Sequence, residues 1–182
     1  PHPFYAAQGE IKACETIRHS ITSHRGCYGE CSFCSIAVHQ GRRIVSRSES
    51  SILDEAKGIT KLPGFKGYIS DVGGATANMY ASGCRTNVQK PLCPNKRCTY
   101  PSVCPSLELG HSRQLALLRK IRAIDGVKKV FIGSGIRFDL IVADKANGNR
   151  YLGEIVEHHI SGQMKIAPEH TSETVLRAMR KN

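Results

Sequence analysis

Residues 25–34 read Arg-Gly-Cys-Tyr-Gly-Glu-Cys-Ser-Phe-Cys, and we predict that the fold is organised around this stretch. Its three cysteines, Cys27, Cys31 and Cys34, have the spacing C-x3-C-x2-C. Thiolates this close together converge on one small group more easily than they serve separate structural roles. Three protein ligands are one short of the four that complete a [4Fe–4S] cluster or a structural zinc site. If no fourth protein ligand joins them, one metal position stays open to another molecule.

An iron–sulfur cluster is the interpretation that this spacing favours. Gly26 and Gly29 flank and interrupt the cysteines. Glycine permits the positive φ and the close backbone approach that a loop around a cluster needs. The alternative is a zinc knuckle, in which His24 or His39 would complete the same three ligands.

The charge of the chain limits its partners. Its 182 residues include 26 Lys and Arg against 15 Asp and Glu, which gives a net charge of +11. A chain of this length suits one domain with a sizeable core. The positive excess favours anionic partners such as RNA, an acidic cofactor or an acidic protein. No apolar run is long enough to span a bilayer, which predicts a protein without membrane attachment.

The eight cysteines fall into two groups, apart from the isolated Cys14. Grouped cysteines in a chain of helices and strands favour metal binding in a reducing compartment over a disulfide framework. The sequence therefore predicts a cytoplasmic protein. The chain begins with Pro1 rather than Met, which indicates a fragment or a processed form.

Hydrophobic periodicity predicts a parallel α/β fold, because strands and helices alternate with short connections. Residues 1–16 form a lead-in segment and residues 17–182 form the core. The predicted strands and helices alternate as 17–24, 48–62, 68–72, 111–124, 127–132, 150–159, 163–167 and 173–180. A closed eight-unit barrel takes about 250 residues, whereas this alternation supplies four strand–helix units.

Three further loops follow predicted strands, at the edge of a parallel sheet where active sites are built. The second strand leads into Gly73-Gly74, the third into a loop that contains Arg137, and the fourth into Glu169 and His170. Each feature has a plainer interpretation, because paired glycines form tight turns, arginines form surface ion pairs, and Glu169 and His170 suit an ordinary loop. Their common position at strand ends predicts that they lie near the cysteines of residues 27–34.

An irregular, Pro-rich segment, residues 81–106, interrupts the alternation, and we call it the Cys-rich insertion. Its four cysteines are Cys84, Cys93, Cys98 and Cys104. They suit zinc, a second iron–sulfur cluster or two disulfides, in that order of preference. The insertion has few large apolar residues, so we expect a separate metal site to supply its folding energy.

The pattern C-x3-C-x-aromatic-C, with Phe33 in the aromatic position, resembles the signature of the radical S-adenosylmethionine (radical SAM) enzymes. The resemblance implies that Cys27, Cys31 and Cys34 hold a [4Fe–4S] cluster. It also implies that the open iron is chelated by the amino and carboxylate groups of S-adenosylmethionine. Reductive cleavage of that cofactor gives a 5′-deoxyadenosyl radical, which takes hydrogen from a substrate that the sequence does not identify.

The same resemblance implies roles for residues at the strand ends. Phe33 would lie near the adenine, and Gly73 and Gly74 near the methionyl amino group. Arg137 and Glu169 are candidates for binding the carboxylate and the ribose. The common glycine-rich motif carries Glu after its two glycines, whereas Ala75 and Thr76 follow them here, so backbone carbonyls would have to accept the amino group. No residue is assigned to catalysis.

The resemblance extends over roughly residues 17–182 to the core of YgiQ-type radical SAM proteins. The matching segments are residues 25–34, 70–80, 134–139 and 165–171, together with the four cysteines of the insertion. This implies a partial (β/α) barrel that carries the first four units of a six-unit core. It also implies a reductant protein such as flavodoxin or ferredoxin. Residues 168–181 are similar as well to a strand-to-helix region of methylthiotransferase-type enzymes, which act on RNA or protein.

A second function class accounts for part of the same sequence. A zinc-bound, basic module that binds nucleic acid without catalysis would explain the charge and both cysteine groups. It would not explain why Gly73, Gly74 and Arg137 are predicted at the same sheet edge as the cysteines.

Overall fold

A computed structural model of the chain describes residues 2–9, 11–86 and 93–181. Residues 87–92 of the Cys-rich insertion lie outside the described residues. The described part contains eight short strands. They are β1 (Ser20–Thr22), β2 (His24–Arg25), β3 (Val45–Ser46), β4 (Tyr68–Ile69), β5 (Asp71–Gly73), β6 (Gly83–Cys84), β7 (Leu107–Glu108) and β8 (Lys129–Val130).

The strands form four pairs, of which two are parallel. In the first parallel pair, between β1 and β5, Ile21 lies opposite Val72. In the second, between β4 and β8, Ile69 lies opposite Val130. The antiparallel pairs join β2 to β3 and β6 to β7, and the second of these frames the Cys-rich insertion.

Backbone hydrogen bonds continue the parallel arrangement beyond the short strands. The amide of Val72 donates to the carbonyl of Phe131 at 3.1 Å, and the amide of Ile136 donates to the carbonyl of Lys165 at 2.8 Å. A parallel bridge joins Ile136 to Ile166. The described residues therefore form a mixed α/β fold of small parallel and antiparallel sheets, without a closed barrel.

Seven α-helices connect and cover these strands in the described residues. They are α1 (Lys12–Glu15), α2 (Ile36–Gln40), α3 (Glu49–Thr60), α4 (His111–Arg122), α5 (Phe138–Ala143), α6 (Gly148–His158) and α7 (Glu173–Met179). Two short 3-10 helices cover Pro3–Gln8 and Ala77–Met79. None of the helices described here has the length and apolar character needed to cross a membrane.

Helix α3 forms as the sequence predicts. The hydroxyl of Ser48 accepts a hydrogen bond from the amide of Ser51 at 3.3 Å, which caps the first turn. Ile52, Ala56 and Ile59 face the core at helical spacing. Helices α4 and α6 also lie close to their predicted bounds, because both carry an apolar stripe that faces the core.

Several predicted elements are shorter or differ. The first predicted strand starts at Ser20 rather than residue 17, because residues 16–19 form a turn. The last predicted strand is reduced to the bridge at Ile166. Ser172 occupies the N-cap position of α7, but its side chain makes no capping hydrogen bond. Helices α1, α2 and α5 were not predicted.

The main core lies between the parallel strands and helices α3, α4 and α6. Its fully buried side chains include Ile21, Ile52, Ile69, Leu118 and Ile155. At the rim of this core, Glu154 of α6 accepts hydrogen bonds from Arg119, at 2.9 Å from its Nε, and from Arg122, at 2.7 Å from its Nη1. These ion pairs tie α6 to α4. The pKa of Glu154 lies below its usual value, chiefly because of the hydrogen bond from Arg119.

Replacing Leu118 with Ala should lower the free energy of unfolding by about 2–5 kcal/mol, because it removes a fully buried side chain and leaves a cavity. Leu62→Ala is the matched control, since Leu62 is 44% exposed, and its cost should stay below about 1 kcal/mol. Urea unfolding of both variants measures the difference. Equal losses would contradict the placement of the core.

Candidate functional site

Residues 26–34, which we call the thiol loop, lie between β2 and α2. The amide of Cys27 donates to the carbonyl of Gly41 at 3.0 Å, and the amide of Gly26 donates to Oε1 of Gln40 at 3.2 Å. A side chain at Gly26 would place its Cβ 2.0 Å from the carbonyl oxygen of Arg43. The start of the loop is therefore held tightly against residues 40–43, and only glycine fits there.

Hydrogen-bond donors surround two of the three thiols. Sγ of Cys27 accepts from the amide of Gly29 at 3.4 Å and lies 3.5 Å from the hydroxyl of Thr76. Sγ of Cys31 accepts from Nη1 of Arg137 at 3.6 Å. Burial raises the pKa of Cys31, and the nearby charges of Arg137 and Lys181 oppose that rise. The structure thus brings the loops after β5 and β8 to the thiol loop.

Arg137 is buried, and its guanidinium is already paired. Nε donates to Oδ1 of Asp139 at 3.0 Å, and Nη2 donates to the other carboxylate oxygen. Burial lowers the pKa of Arg137, but the hydrogen bonds and charge of Asp139, together with the nearby Cys31 and Cys27, raise it above its ordinary value. Asp139 is thus the carboxylate that Arg137 binds in this structure. The binding of a cofactor carboxylate by Arg137 stays a prediction.

The segment after the fourth predicted strand, which includes helix α7, also contacts the thiol loop. The amide of Ser32 donates to the carbonyl of Met179 at 3.0 Å, and its hydroxyl donates to the carbonyl of Ala178 at 2.7 Å. Beside this contact, Nζ of the buried Lys181 donates to Oε1 of Glu169 at 3.0 Å. Glu169 has a positive φ of 68°. The end of α7 therefore lies against Ser32, the residue after Cys31.

The ring of Phe33 points outward from the thiol loop, and 55% of the residue is exposed. Within the described residues no other aromatic ring packs on it, and its position near an adenine stays a prediction. The amide of Cys34 donates to the carbonyl of Cys31 at 3.1 Å, which closes a turn at the end of the loop.

A cavity of about 360 Å³ opens at the ends of β1 and β5, beside the paired glycines. It is lined by backbone and polar groups from both strand ends, including Thr22, His24, Asp71, Gly73, Gly74 and Ser134. Oδ1 of Asp71 accepts from the amides of Gly133 at 2.8 Å and Ser134 at 3.2 Å. The side chain of Asp71 thus ties the loop after β8 to β5.

Sequence reasoning missed Asp71, Ser134 and His24 as cavity residues. The ring of His24 is buried and packs on Gly74, where an added Cβ would lie 2.7 Å from Nε2. Nε2 lies 3.0 Å from the carbonyl oxygen of Thr76, and burial lowers the pKa of His24. The available signal was the position of His24 at the end of the first predicted strand, 17–24, and of Ser134 in the loop that follows the third, 127–132.

The Cys-rich insertion packs on the thiol loop. The hydroxyl of Thr99 donates to the carbonyl of Gly29 at 3.2 Å. The carboxylate of Glu30 binds Arg97 of the insertion at 3.0 Å and Arg42 at 2.8 Å. These contacts show that the described part of the insertion forms a wall of the site.

Three cysteines of the insertion are neighbours. Burial raises the pKa of Cys98 to about 11, and the nearby Cys104 and Cys84 add to the rise. The amide of Cys104 donates to the carbonyl of Cys98 at 2.8 Å, and Arg42 donates to the carbonyl of Cys93 at 3.4 Å. The separate metal site that the sequence predicts for these cysteines stays a prediction.

All eight cysteines lie in the described residues, and none of them forms a disulfide. Within the described residues, no three His, Cys, Asp or Glu side chains converge on a position for a single metal ion. Thiolates that ligate different irons of one cluster lie further apart than thiolates that share one ion. Because donors are directed at Cys27 and Cys31, the thiol loop fits a negatively charged cluster.

Gly26→Ala and Gly41→Ala separate backbone strain from steric overlap at the thiol loop. Both residues have positive φ, 94° and 92°, but an added Cβ overlaps a carbonyl only at Gly26. We expect Gly41→Ala to lower the free energy of unfolding by about 1–3 kcal/mol through strain alone. Gly26→Ala should cost about 1–3 kcal/mol more through overpacking. Chemical denaturation measures both, and equal losses would contradict the close packing at Arg43.

Comparison with known proteins finds relatives over the whole chain, although no family model matches it. The chain is 53% identical over 181 residues to a UPF0313 protein of Fusobacterium nucleatum, which covers 100% of this chain and 32% of that protein. It is 52% identical over 181 residues to a UPF0313 protein of Methanocella arvoryzae, covering 100% of this chain and 29% of that one. The chain therefore spans about a third of the length of these curated relatives. Over its whole length, it is similar to one part of proteins that carry the name UPF0313.

Proposed function

We propose that this chain is the core of a radical SAM enzyme of the YgiQ type, in which Cys27, Cys31 and Cys34 hold a [4Fe–4S] cluster. The observation that carries the proposal is the meeting of three loops at the thiols. The loop after β5 supplies Thr76 beside Cys27, and the loop after β8 supplies Arg137 beside Cys31. When bound, the cluster would supply the electron for reductive cleavage of S-adenosyl-L-methionine.

The chain's own residues stabilise the thiolate form of these ligands. Burial alone disfavours a thiolate, as the raised pKa of Cys31 indicates. The amide of Gly29 and the guanidinium of Arg137 offset part of that cost by donating to Cys27 and Cys31. Metal binding would supply the remainder, because a ligating thiol is deprotonated by its metal.

The cavity beside Gly73 and Gly74 is the proposed site for S-adenosyl-L-methionine. Its volume of about 360 Å³ falls in the range of small-molecule sites, about 300–1,000 Å³. The lack of side chains at both glycines lets Ser134 and His24, which also line the cavity, pack closely on the backbone there. Asp71 is occupied by the amides of residues 133 and 134 and by the hydroxyl of Ser134, so backbone carbonyls and the hydroxyl of Thr22 are the proposed polar partners.

The arrangement of strands supports the first four units of a six-unit partial barrel. Segments around β1, β5, β8 and Ile166 neighbour one another in chain order, and each contact between them is parallel. This order is expected for successive strand–helix units. The net charge of +11 suits an anionic electron donor such as flavodoxin or ferredoxin, and it also suits RNA as a partner.

Single replacement of Cys27, Cys31 or Cys34 by Ala should abolish cluster binding, because each thiolate is proposed to ligate a different iron. Anaerobic reconstitution with iron and sulfide, followed by iron analysis and absorbance near roughly 400 nm, measures the cluster. Cys14→Ala is the matched control, since Cys14 lies in α1, outside the thiol loop. It should keep the full iron content of the parent chain.

The same experiment separates the cluster from the zinc alternative. A colourless protein that binds zinc through the thiol loop would favour the non-catalytic, nucleic-acid-binding module. Full iron content in any one of the three variants would contradict the proposed ligand set.

Gly74→Ala should weaken binding of S-adenosyl-L-methionine, because an added Cβ would lie 2.7 Å from Nε2 of His24 and 2.8 Å from its carbonyl oxygen, and would displace this residue of the cavity lining. A loss of about 1–3 kcal/mol in binding through this displacement corresponds to a roughly 5- to 150-fold higher Kd. Gly135→Ala is the control, since nothing lies within 4 Å of its added Cβ. Equilibrium dialysis with the reconstituted protein measures Kd, and equal affinities would place the cofactor elsewhere.

A further inference from the structure

A group of buried polar residues lies behind the thiol loop and has no role in the proposed chemistry. Asn78 is 1% exposed and His111 is fully buried. Asn78 lies in the 3-10 helix Ala77–Met79, and His111 is the first residue of α4. Burying such groups is costly unless every polar atom is paired, so the partners of these two side chains indicate what they do.

The amide group of Asn78 binds both backbone polar groups of Arg137. Its Oδ1 accepts from the amide of Arg137 at 2.9 Å, and its Nδ2 donates to the carbonyl of Arg137 at 2.9 Å. The reverse orientation would place an oxygen against a carbonyl and an NH₂ against an amide. Only the observed orientation satisfies all four groups, so Asn78 fixes the backbone of Arg137.

His111 in turn holds Asn78. The ring Nε2 of His111 lies 3.2 Å from Nδ2 of Asn78. Because that nitrogen can only donate, Nε2 must be the unprotonated ring nitrogen. The proton is then on Nδ1, which donates to Oδ2 of Asp144 at 2.8 Å. Burial lowers the pKa of His111, which agrees with this neutral ring.

The far end of the network is the thiol loop. Asp139 holds Nε and Nη2 of Arg137 and also accepts from the amide of Leu140 at 3.0 Å. With those donors engaged, Nη1 is directed at Sγ of Cys31, 3.6 Å away. The guanidinium is therefore fixed from its backbone by Asn78 and from its side chain by Asp139.

We infer that Asn78, His111 and Asp144 form a positioning relay that holds the Arg137 guanidinium against Cys31 and thereby sets the reduction potential of the cluster. This inference rests on the proposed cluster at the thiol loop. Hydrogen bonds and positive charge at a ligating sulfur stabilise the more negative, reduced state of a cluster. The three relay residues touch neither ligand nor thiol and act through Arg137.

Gln114 provides a matched control within the same structure. It lies one turn from His111 on α4, is 1% exposed, and donates from Nε2 to the carbonyl of Ala77 at 2.7 Å. Its side chain therefore holds the residue next to Asn78 but does not bond to Arg137. Gln114→Met should disturb packing about as much as a relay variant without moving the guanidinium.

The test compares midpoint potentials of the reconstituted cluster in four variants. His111→Phe and Asn78→Leu should shift the potential to more negative values, because the donor at Cys31 is lost. His111→Gln should restore most of the parent value, since a glutamine amide can accept from Asn78 and donate to Asp144. Gln114→Met should keep the parent potential even where urea unfolding shows a similar loss of stability.

Two outcomes would overturn the relay. In both of them, the proposed function is decided separately, by whether the parent chain forms a cluster. If the cluster forms and His111→Phe has the same potential as Gln114→Met, the relay is wrong and the cluster assignment stands. If the parent chain forms no cluster, the proposed function is wrong. The position of the guanidinium, which is the structural part of the relay, is then decided by the NMR signal of the Arg137 Nε–H. This signal is assigned by its absence in Arg137→Lys. A slowly exchanging signal that is lost in His111→Phe supports the relay, and one that persists there overturns it.

Discussion

The parallel pairing of β1 with β5 is the constraint on which the site depends. Its register places Thr22 opposite Gly73. Parallel strands end at the same edge of a sheet, so the thiol loop and the paired glycines must emerge side by side. The 3.5 Å approach of Cys27 Sγ to the hydroxyl of Thr76 follows from this register. A slip by one residue would turn the alternating side chains to the opposite face and separate the two loops.

Charges at the site are paired, which limits how its parts can move. Arg137 forms a buried pair with Asp139, and Glu30 forms half-buried pairs with Arg42 and Arg97. Breaking the buried pair of Arg137 with Asp139 would leave an uncompensated charge, at a cost of about 3–5 kcal/mol. The side chains closest to the thiols are therefore held by electrostatics as well as packing, which suits ligands that must keep fixed positions around one cluster.

Local signals made much of this architecture predictable. The cap at Ser48, the apolar stripes of α3 and α4, and the order of the strands all depend on residues close in sequence. The meeting of the strand ends followed from parallel topology. Helices α1, α2 and α5 were not predicted, because their four, five and six residues are too few to show a clear period. The packing of the insertion on the thiol loop was not predicted either. The pairing of Glu30 with Arg97 joins residues 67 apart, so it leaves no periodic signal in the sequence.

That long-range pairing changes how the Cys-rich insertion should be understood. The sequence alone suggests an independent unit, folded by its own metal. In the structure, Thr99 donates to the carbonyl of Gly29, and Tyr28 accepts from the hydroxyl of Ser82 at the base of the insertion. Tyr28 and Gly29 lie between Cys27 and Cys31, two of the proposed cluster ligands. Any group that orders the insertion therefore also restricts the backbone of the thiol loop, so folding of one cysteine group and the geometry of the other are linked.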